Sequence, residues 1–218
     1  MGSYLNPGSG LFEMALRSQI FVDKSGLIEK TNHCVRTLQR YMCVSRPRRF
    51  GKSMGVDMLA AYYERGEDAE ELFANFAIGK AESFQKHLNQ YDVLKINTQE
   101  FLSATQNIDE MLQMLKKYLI FDLKESYGQV RFRDEENLVQ VMKDIYTATK
   151  HAFVILIDEW DCLFREYKED KEAQRKYLDF LRNLLKDRNY VGLTYMTGIL
   201  PIKKYGSHSA LNMFDEFS

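Results

Sequence analysis

The chain has 218 residues, of which 45% are hydrophobic, 13% aromatic and 28% charged. This composition supplies enough apolar side chains for a sizeable core and excludes an intrinsically disordered chain. The 30 basic and 31 acidic residues leave a formal net charge of -1. No overall field therefore draws the protein to nucleic acid or to an anionic membrane, and charge does not support nucleic-acid binding.

The longest uninterrupted apolar run, Ala152–Ile157, is far too short to span a bilayer. The N-terminal residues carry neither the basic segment nor the apolar core of a secretory signal. Cys34, Cys43 and Cys162 form no pattern typical of a metal site, so we expect small, buried and reduced side chains. These features predict a cytoplasmic protein without a membrane segment.

Residues 1–40 indicate an N-terminal lead-in that packs on a core formed by residues 41–218. The lead-in starts with a turn, continues with a short amphipathic segment at 12–17 and reaches an extended segment at 20–22. Residues 41–44 are then a compact apolar run, which predicts the first strand of the core.

Helices and strands alternate along the rest of the chain. Apolar residues at helical spacing predict helices over about 54–62, 107–128, 134–145 and 173–184. Further strands are predicted at 93–97, 153–157 and 191–196. The run at 153–157 does not alternate with polar residues, which is typical of a strand covered on both faces. This alternation predicts a three-layer α/β fold with a mainly parallel sheet and right-handed crossovers.

The loop after the first strand, Arg46–Ser53, ends in Gly-Lys-Ser, as a phosphate-binding loop does. The glycine that usually opens such a loop is replaced by Arg46. Backbone N–H groups at the start of a helix can surround phosphate oxygens, while Lys52 would reach the outer phosphates and Ser53 would ligate Mg²⁺. A solvated basic turn is the alternative. The residues predicted to contact the nucleotide are Arg48, Arg49, Phe50, Gly51, Lys52, Ser53 and Met54.

The strand at 153–157 leads directly into the acidic pair Asp158 and Glu159. In open α/β sheets, ligands bind at the carboxyl ends of the strands. There Asp158 would hold Mg²⁺ beside Ser53, and Glu159 would activate an attacking water. The presence of both the basic loop and the acidic pair favours a nucleotide site over two acids that simply end a strand in solvent.

Thr197, just after the strand at 191–196, is a weaker candidate that would sense the terminal phosphate or position water. A threonine that merely ends a strand is the alternative. Asn97 ends the strand at 93–97 in the same manner, and we interpret it as structural. Arg48 and Arg49 would stabilise phosphate charge in cis, or else face a partner.

The order of these segments resembles that of the bacterial AAA-ATPase-like family. The resemblance spans nearly the whole chain and rests on Tyr4–Gly8, Phe21–Lys24, Ser45–Ser53, Ile157–Asp161, Thr197–Ile202 and Ser209–Phe214. In that family the Arg-Pro-Arg-Arg-Phe-Gly-Lys form is itself the usual loop. The resemblance implies a P-loop NTPase fold of the additional-strand class and a position for Asp161 close to the site. Together with the motifs, we predict ATP and Mg²⁺ as cofactors and catalytic roles for Lys52, Glu159 and Thr197.

Relatives in this family often carry a nuclease-like domain of the PD-(D/E)XK type at the C-terminus. Residues 214–218 stand about where relatives enter a final core strand, which predicts a chain that ends before that strand and before any such domain. Asp161 with Glu166 and Lys168 matches the letters of a nuclease motif. Its position just after the acidic strand makes chance the better explanation.

The sequence leaves three functions open. The first is a Mg²⁺-dependent ATPase. The second is a slowly hydrolysing, nucleotide-gated module that presents a surface to a partner protein or to a C-terminal domain. The third is the ATPase part of a nuclease-linked system that processes nucleic acid, and this one rests on family analogy alone.

Overall fold

The protein is described by a computed structural model that covers residues 2–202 and 210–218. Strands within these ranges are β1 Tyr41–Ser45, β2 Asp92–Asn97, β3 Phe153–Asp158, β4 Val191–Gly198 and β5 Asp215–Phe217. They form one sheet in the order β2-β3-β4-β1-β5, and every neighbouring pair is parallel. The predicted α/β fold with a parallel sheet is confirmed. Ser209 of the last family-like segment lies outside the described residues.

The helices of the described ranges are α1 Gly10–Leu16, α2 Gly26–Cys34, α3 Lys52–Tyr63, α4 Glu70–Phe73, a 3-10 helix Ala77–Lys80, α5 Phe84–His87, α6 Thr98–Ser103, α7 Ile108–Ser126, α8 Leu138–Thr149, α9 Cys162–Glu166 and α10 Lys171–Leu185. The long helix predicted from Asn107 is confirmed, and the Asn107 side chain accepts the N–H of Glu110. The helix predicted from about residue 134 starts later, because the Asn137 side chain caps it by accepting the N–H of Gln140. Residues 20–22 form no strand.

The helices divide between the two faces of the sheet in chain order. Helices α1 to α5 share one apolar core with alternate strand residues, and α6 to α10 share the other. From β1, near one end of the strand order, the chain connects to β2 at the opposite edge of the sheet. It then runs in the reverse direction, from β2 to β3 and from β3 to β4. Right-handed crossovers in opposite directions must lie on opposite faces. The strand order therefore fixes α3 on one face and α6 to α10 on the other.

Strand β4 lies between β1, which precedes the basic loop, and β3, which ends in the acidic pair. One additional strand therefore separates the two strands that carry the predicted motifs. The register pairs Val44 with Thr197, Thr197 with Asp158, and Asp158 with Asn97. The polar residues that end the strands therefore stand level at the carboxyl edge of the sheet. This edge also holds the start of α3, which follows β1.

The lead-in is attached to the core at several points. Phe12 of α1 and Ile28 of α2 are buried in the same cluster as Val56 of α3. Leu5 forms an antiparallel bridge with Leu94, next to the β2 edge of the sheet. Phe12 and Ile28 therefore attach the lead-in to the face that carries α3, whereas Leu5 packs into the core on the opposite face. The division of the chain at residue 40 stays a prediction.

Two smaller expectations concern cysteines and membranes. Cys43 and Cys162 are buried as free thiols, and Cys34 is half-buried. Across residues 2–202 and 210–218, no helix has the length and apolar character needed to cross a membrane.

Candidate functional site

The loop between β1 and α3 is shaped by left-handed backbone at Arg49 (φ 69°) and Gly51 (φ 72°). Glycine suits the second position for a steric reason as well, since a Cβ there would lie 2.9 Å from the Nζ of Lys24. Helix α3 begins at the next residue, Lys52. The free N–H groups of its first turn therefore lie at the end of the basic loop.

Two lysines bind carbonyl oxygens of this loop. The Nζ of Lys52 donates to the carbonyl oxygen of Pro47 at 3.1 Å, which curls the side chain back over the loop. The Nζ of Lys24 donates to the carbonyl oxygen of Phe50 at 2.8 Å, from the turn before α2. Both bonds are exposed, so an anion of higher charge could compete for either ammonium group.

The loop and the acidic strand line the same cleft, which has a volume of about 550 Å³. Lys52 and Ser53 come from the start of α3, whereas Asp158 and Glu159 come from the end of β3. The residues that line the cleft are Arg48, Arg49, Gly51, Lys52, Ser53, Met54, Asn97, Gln99, Asp158, Glu159 and Arg165. The structure thus brings the two predicted motifs together, although more than 100 residues separate them in the sequence.

Asp158 is almost fully buried at the floor of this cleft. Burial raises the pKa of its carboxyl group, because the charged form loses solvation. A hydrogen bond from the side chain of Ser53, one from the N–H of Glu159 and the charge of Lys52 act in the opposite direction. The pKa of Asp158 is raised overall, because these interactions do not fully offset the lost solvation of the carboxylate. A nearby cation would stabilise the charged form.

Glu159 has a positive φ of 53°, which turns the chain sharply at the end of β3. Its carboxylate forms an ion pair with the Nη2 of Arg165. The two side chains are 25% and 20% exposed, respectively, at the mouth of the cleft. The predicted base is therefore held by a cation from α9 that the sequence did not single out.

Asp161 is completely buried and connects the end of β3 to the end of β4. Its Oδ2 accepts the N–H groups of Ile199 at 3.1 Å and Leu200 at 2.8 Å. The Nε of Arg165 lies 3.4 Å from the same oxygen. The expectation that Asp161 belongs to the surroundings of the site agrees with this position, although Asp161 does not line the cleft.

Two of the predicted residues do not reach the cleft. Phe50 is 55% exposed at the loop and is absent from the lining. Thr197 is fully buried between Val44 and Asp158 in the sheet register, and its Oγ1 has no hydrogen-bond partner in the described structure. Direct contact between Thr197 and a bound phosphate is not supported by this geometry, because neighbouring strands and side chains cover it.

Asn97 has the structural role that we expected, and a second position as well. Its side chain accepts the N–H of Gln99 at 3.0 Å and so caps α6. Both residues also line the cleft. Sequence reasoning missed Gln99 and Arg165; for Arg165 the signal was its spacing of four residues from Asp161 in a short helix.

A larger cleft, of about 750 Å³, lies between α7, α8 and α10. It contains no residue of the loop or of the acidic pair. Chemistry rather than size therefore identifies the candidate site, because the smaller cleft joins the Gly-Lys-Ser helix start to the carboxylates at the end of β3.

Comparison with known proteins relates the chain to one family. The sequence model of a family described as "Predicted AAA-ATPase" matches residues 11–207, which include both walls of the cleft. The chain is also 26% identical over 211 residues to a protein of Azotobacter chroococcum mcd 1 described as "Uncharacterized protein in vnfD 5'region". That alignment covers 91% of this chain but only 37% of the relative.

Proposed function

Because the chain belongs to the Predicted AAA-ATPase family, we propose that it binds ATP with Mg²⁺ in this cleft and hydrolyses the terminal phosphate. One observation carries the proposal: Lys52 and Ser53 line the same cleft as Asp158 and Glu159. A fold alone would not indicate this chemistry, since one fold hosts many functions. A basic helix start opposite two carboxylates suits a phosphate–metal complex specifically.

The phosphates would lie against the start of α3. There the N–H groups of Gly51, Lys52 and Ser53 and the helix dipole favour negative charge. Lys52 would exchange its bond to the Pro47 carbonyl for the outer phosphates. Arg48 and Arg49 line the same wall and would add charge-assisted contacts to the phosphate oxygens.

The oxygen donors present in the cleft fit Mg²⁺. The Ser53 hydroxyl and the Asp158 carboxylate interact with each other, and Mg²⁺ typically takes one or two such protein ligands while phosphates and water complete its shell. When bound, Mg²⁺ would neutralise charge on the outer phosphates.

Glu159 would act as the base that orients and deprotonates the attacking water. Its carboxylate stands at the mouth of the cleft, one residue beyond Asp158, where water has access. Positioning and electrostatic stabilisation would supply most of the rate enhancement, as in other phosphoryl transfers.

The proposal is tested by calorimetric titration with Mg²⁺-ATP and by phosphate release. Lys52→Ala should weaken binding at least about tenfold, because a charge-assisted contact to phosphate is removed. Glu159→Gln should keep binding and lose at least about 100-fold in turnover, the usual contribution of a general base. Parent-like binding and turnover in both variants would refute the assignment.

A slowly hydrolysing, nucleotide-gated module is the second candidate. The ion pair between Glu159 and Arg165 favours it, because a carboxylate that is engaged by a guanidinium is less available as a base. Tight ATP binding with turnover no faster than that of Glu159→Gln would support this function over the first.

A nuclease-linked role stays a proposal that rests on the family resemblance. The chain spans little more than a third of the relative's length, so the activity of any longer protein lies beyond this site. A salt-dependent shift of DNA in a gel would support nucleic-acid binding, and no shift at low salt would argue against it.

A further inference from the structure

Arg165 is the cation of the cleft that the two motifs do not include. It stands at the end of the short helix α9, whose residues Cys162, Leu163 and Phe164 are buried. This packing fixes the backbone at Arg165, while the side chain extends into the cleft that Lys52 also lines. Its guanidinium is therefore placed by buried structure yet remains within reach of a ligand.

The guanidinium has bonding capacity that its present partners do not use. One nitrogen pairs with Glu159. The Nε lies near Asp161, but it makes no hydrogen bond in the described structure. Asp161 is already bonded to the backbone of β4 and its continuation, so its position does not depend on Arg165. Glu159 is the partner that a competing anion could replace.

A terminal phosphate would be such an anion. It carries more charge than a carboxylate, and its oxygens match the planar fork of a guanidinium. ATP would bring this group to the cleft, and ADP would not. Since Glu159 and Arg165 share one ion pair, any anion that takes the guanidinium also frees the carboxylate.

We propose that Arg165 distinguishes ATP from ADP by transferring its guanidinium from Glu159 to the terminal phosphate, which releases Glu159 to act on water. Arg165 is then a specificity-determining and positioning residue. The inference rests on the proposed function of the cleft. It predicts that Arg165 and Glu159 are coupled in their effects on the binding of a nucleotide with a terminal phosphate, and that they are not coupled in their effects on ADP binding.

The test compares the parent, Glu159→Gln, Arg165→Gln and the double variant by calorimetry. Each is titrated with the Mg²⁺ complexes of a non-hydrolysable ATP analogue and of ADP. Arg165→Gln should weaken the analogue about tenfold or more, the usual loss for a hydrogen bond to a charged group, with less than about a threefold change for ADP. Glu159→Gln alone should tighten the analogue severalfold, because Arg165 no longer has to leave a carboxylate.

The decisive result is the double variant. Glu159→Gln should have no effect on analogue binding once Arg165 is glutamine. The inference would be overturned if Arg165→Gln changed the affinities for the analogue and for ADP equally. It would also be overturned if Glu159→Gln tightened analogue binding by the same factor in the parent and in Arg165→Gln. Arg175→Gln, at an exposed arginine of α10 outside the cleft, is the matched control and should change neither affinity.

Two further results keep the test decisive. If Arg165→Gln does not fold, Arg165→Lys takes its place and should retain part of the preference for the analogue over ADP, since it keeps the charge without the planar fork. A folded Lys variant that binds ADP like the parent but no longer binds the analogue also supports the inference. A Lys variant with the parent's preference contradicts it. If the parent protein binds neither nucleotide, and so behaves as Lys52→Ala is expected to, the proposed function and this inference are both refuted. Parent binding that Lys52→Ala loses, with an unchanged preference in Arg165→Gln, would refute this inference alone.

Discussion

The two walls of the cleft are held in place by different means. The basic wall, residues 46–53, is shaped mainly by backbone, with left-handed φ at Arg49 and Gly51 and exposed bonds to loop carbonyls. The acidic wall, formed by Asp158 and Glu159, is held by the buried side chains of Trp160 and Asp161 that follow it in the chain, of which Asp161 accepts two backbone N–H groups. Substitutions of the buried residues that hold the acidic wall should therefore affect folding, and those in the basic wall should affect ligand binding.

The largest effect on stability is expected for Asp161→Ala. It leaves the N–H groups of Ile199 and Leu200 without their acceptor in a partly buried environment, which should lower the free energy of unfolding by about 3 kcal/mol for the two groups together. Urea denaturation measures this loss. Asp170→Ala is the control, because Asp170 caps α10 by accepting one N–H at an exposed helix start and should cost about 1 kcal/mol. Equal losses in the two variants would contradict the structural role of Asp161.

A smaller loss is expected for Gly198→Ala, at the end of β4. The added Cβ would lie 2.6 Å from Oδ1 of Asp161 and 2.8 Å from the indole of Trp160, both fully buried. Overpacking of this kind should cost about 2 kcal/mol, measured by the same denaturation. Gly128→Ala, where the nearest atom lies at an ordinary 3.6 Å, should cost clearly less. A Gly198→Ala protein as stable as the parent would show that the acidic wall is less tightly packed than described.

Gly51→Ala should separate folding from binding in the basic wall. Its φ of 72° costs an alanine about 1 kcal/mol, and the Cβ would displace Lys24. The expected result is a modest loss of stability with at least about a tenfold loss of ATP affinity, because the loop's N–H groups are reoriented. Gly10→Ala, which has open space around its Cβ, should change neither. Stability lost without affinity lost would reverse the comparison of the two walls.

The smallest effect on stability is expected for Lys24→Ala. Its bond to the Phe50 carbonyl is exposed, so removing it should change the free energy of unfolding by less than about 0.5 kcal/mol. ATP affinity should fall a few-fold, because the loop loses one of its two lysine contacts. A stability loss like that of Asp161→Ala would show that the basic wall also depends on side-chain bonds for folding.

Much of the fold could be predicted from the sequence, because its elements carry local signals. Short segments rich in apolar residues marked β1 to β4, and the capping side chain of Asn107 marked the start of α7. Strand β5 gave no such signal, since Asp215–Phe217 contains only one apolar residue and depends on pairing with β1. Local pattern cannot show a pairing of this kind.

The same distinction holds for the site. The Gly-Lys-Ser loop end and the acids after β3 are local patterns, and the sequence identified both. The ion pair of Arg165 with Glu159 depends on how α9 folds back, and the depth of Thr197 depends on strands at its two sides. Both follow from tertiary packing, so the sequence could show neither the ion pair nor the depth at which Thr197 lies.

The central claim is that Lys52, Ser53 and Asp158 together form one site for Mg²⁺ and ATP. It is tested most directly by a crystal structure with Mg²⁺ and a non-hydrolysable ATP analogue. We predict phosphates against the N–H groups at the start of α3, with Mg²⁺ at about 2.1 Å from the Ser53 oxygen and with Asp158 in its inner or outer shell. A nucleotide bound elsewhere, for instance in the larger cleft between α7, α8 and α10, would contradict the claim.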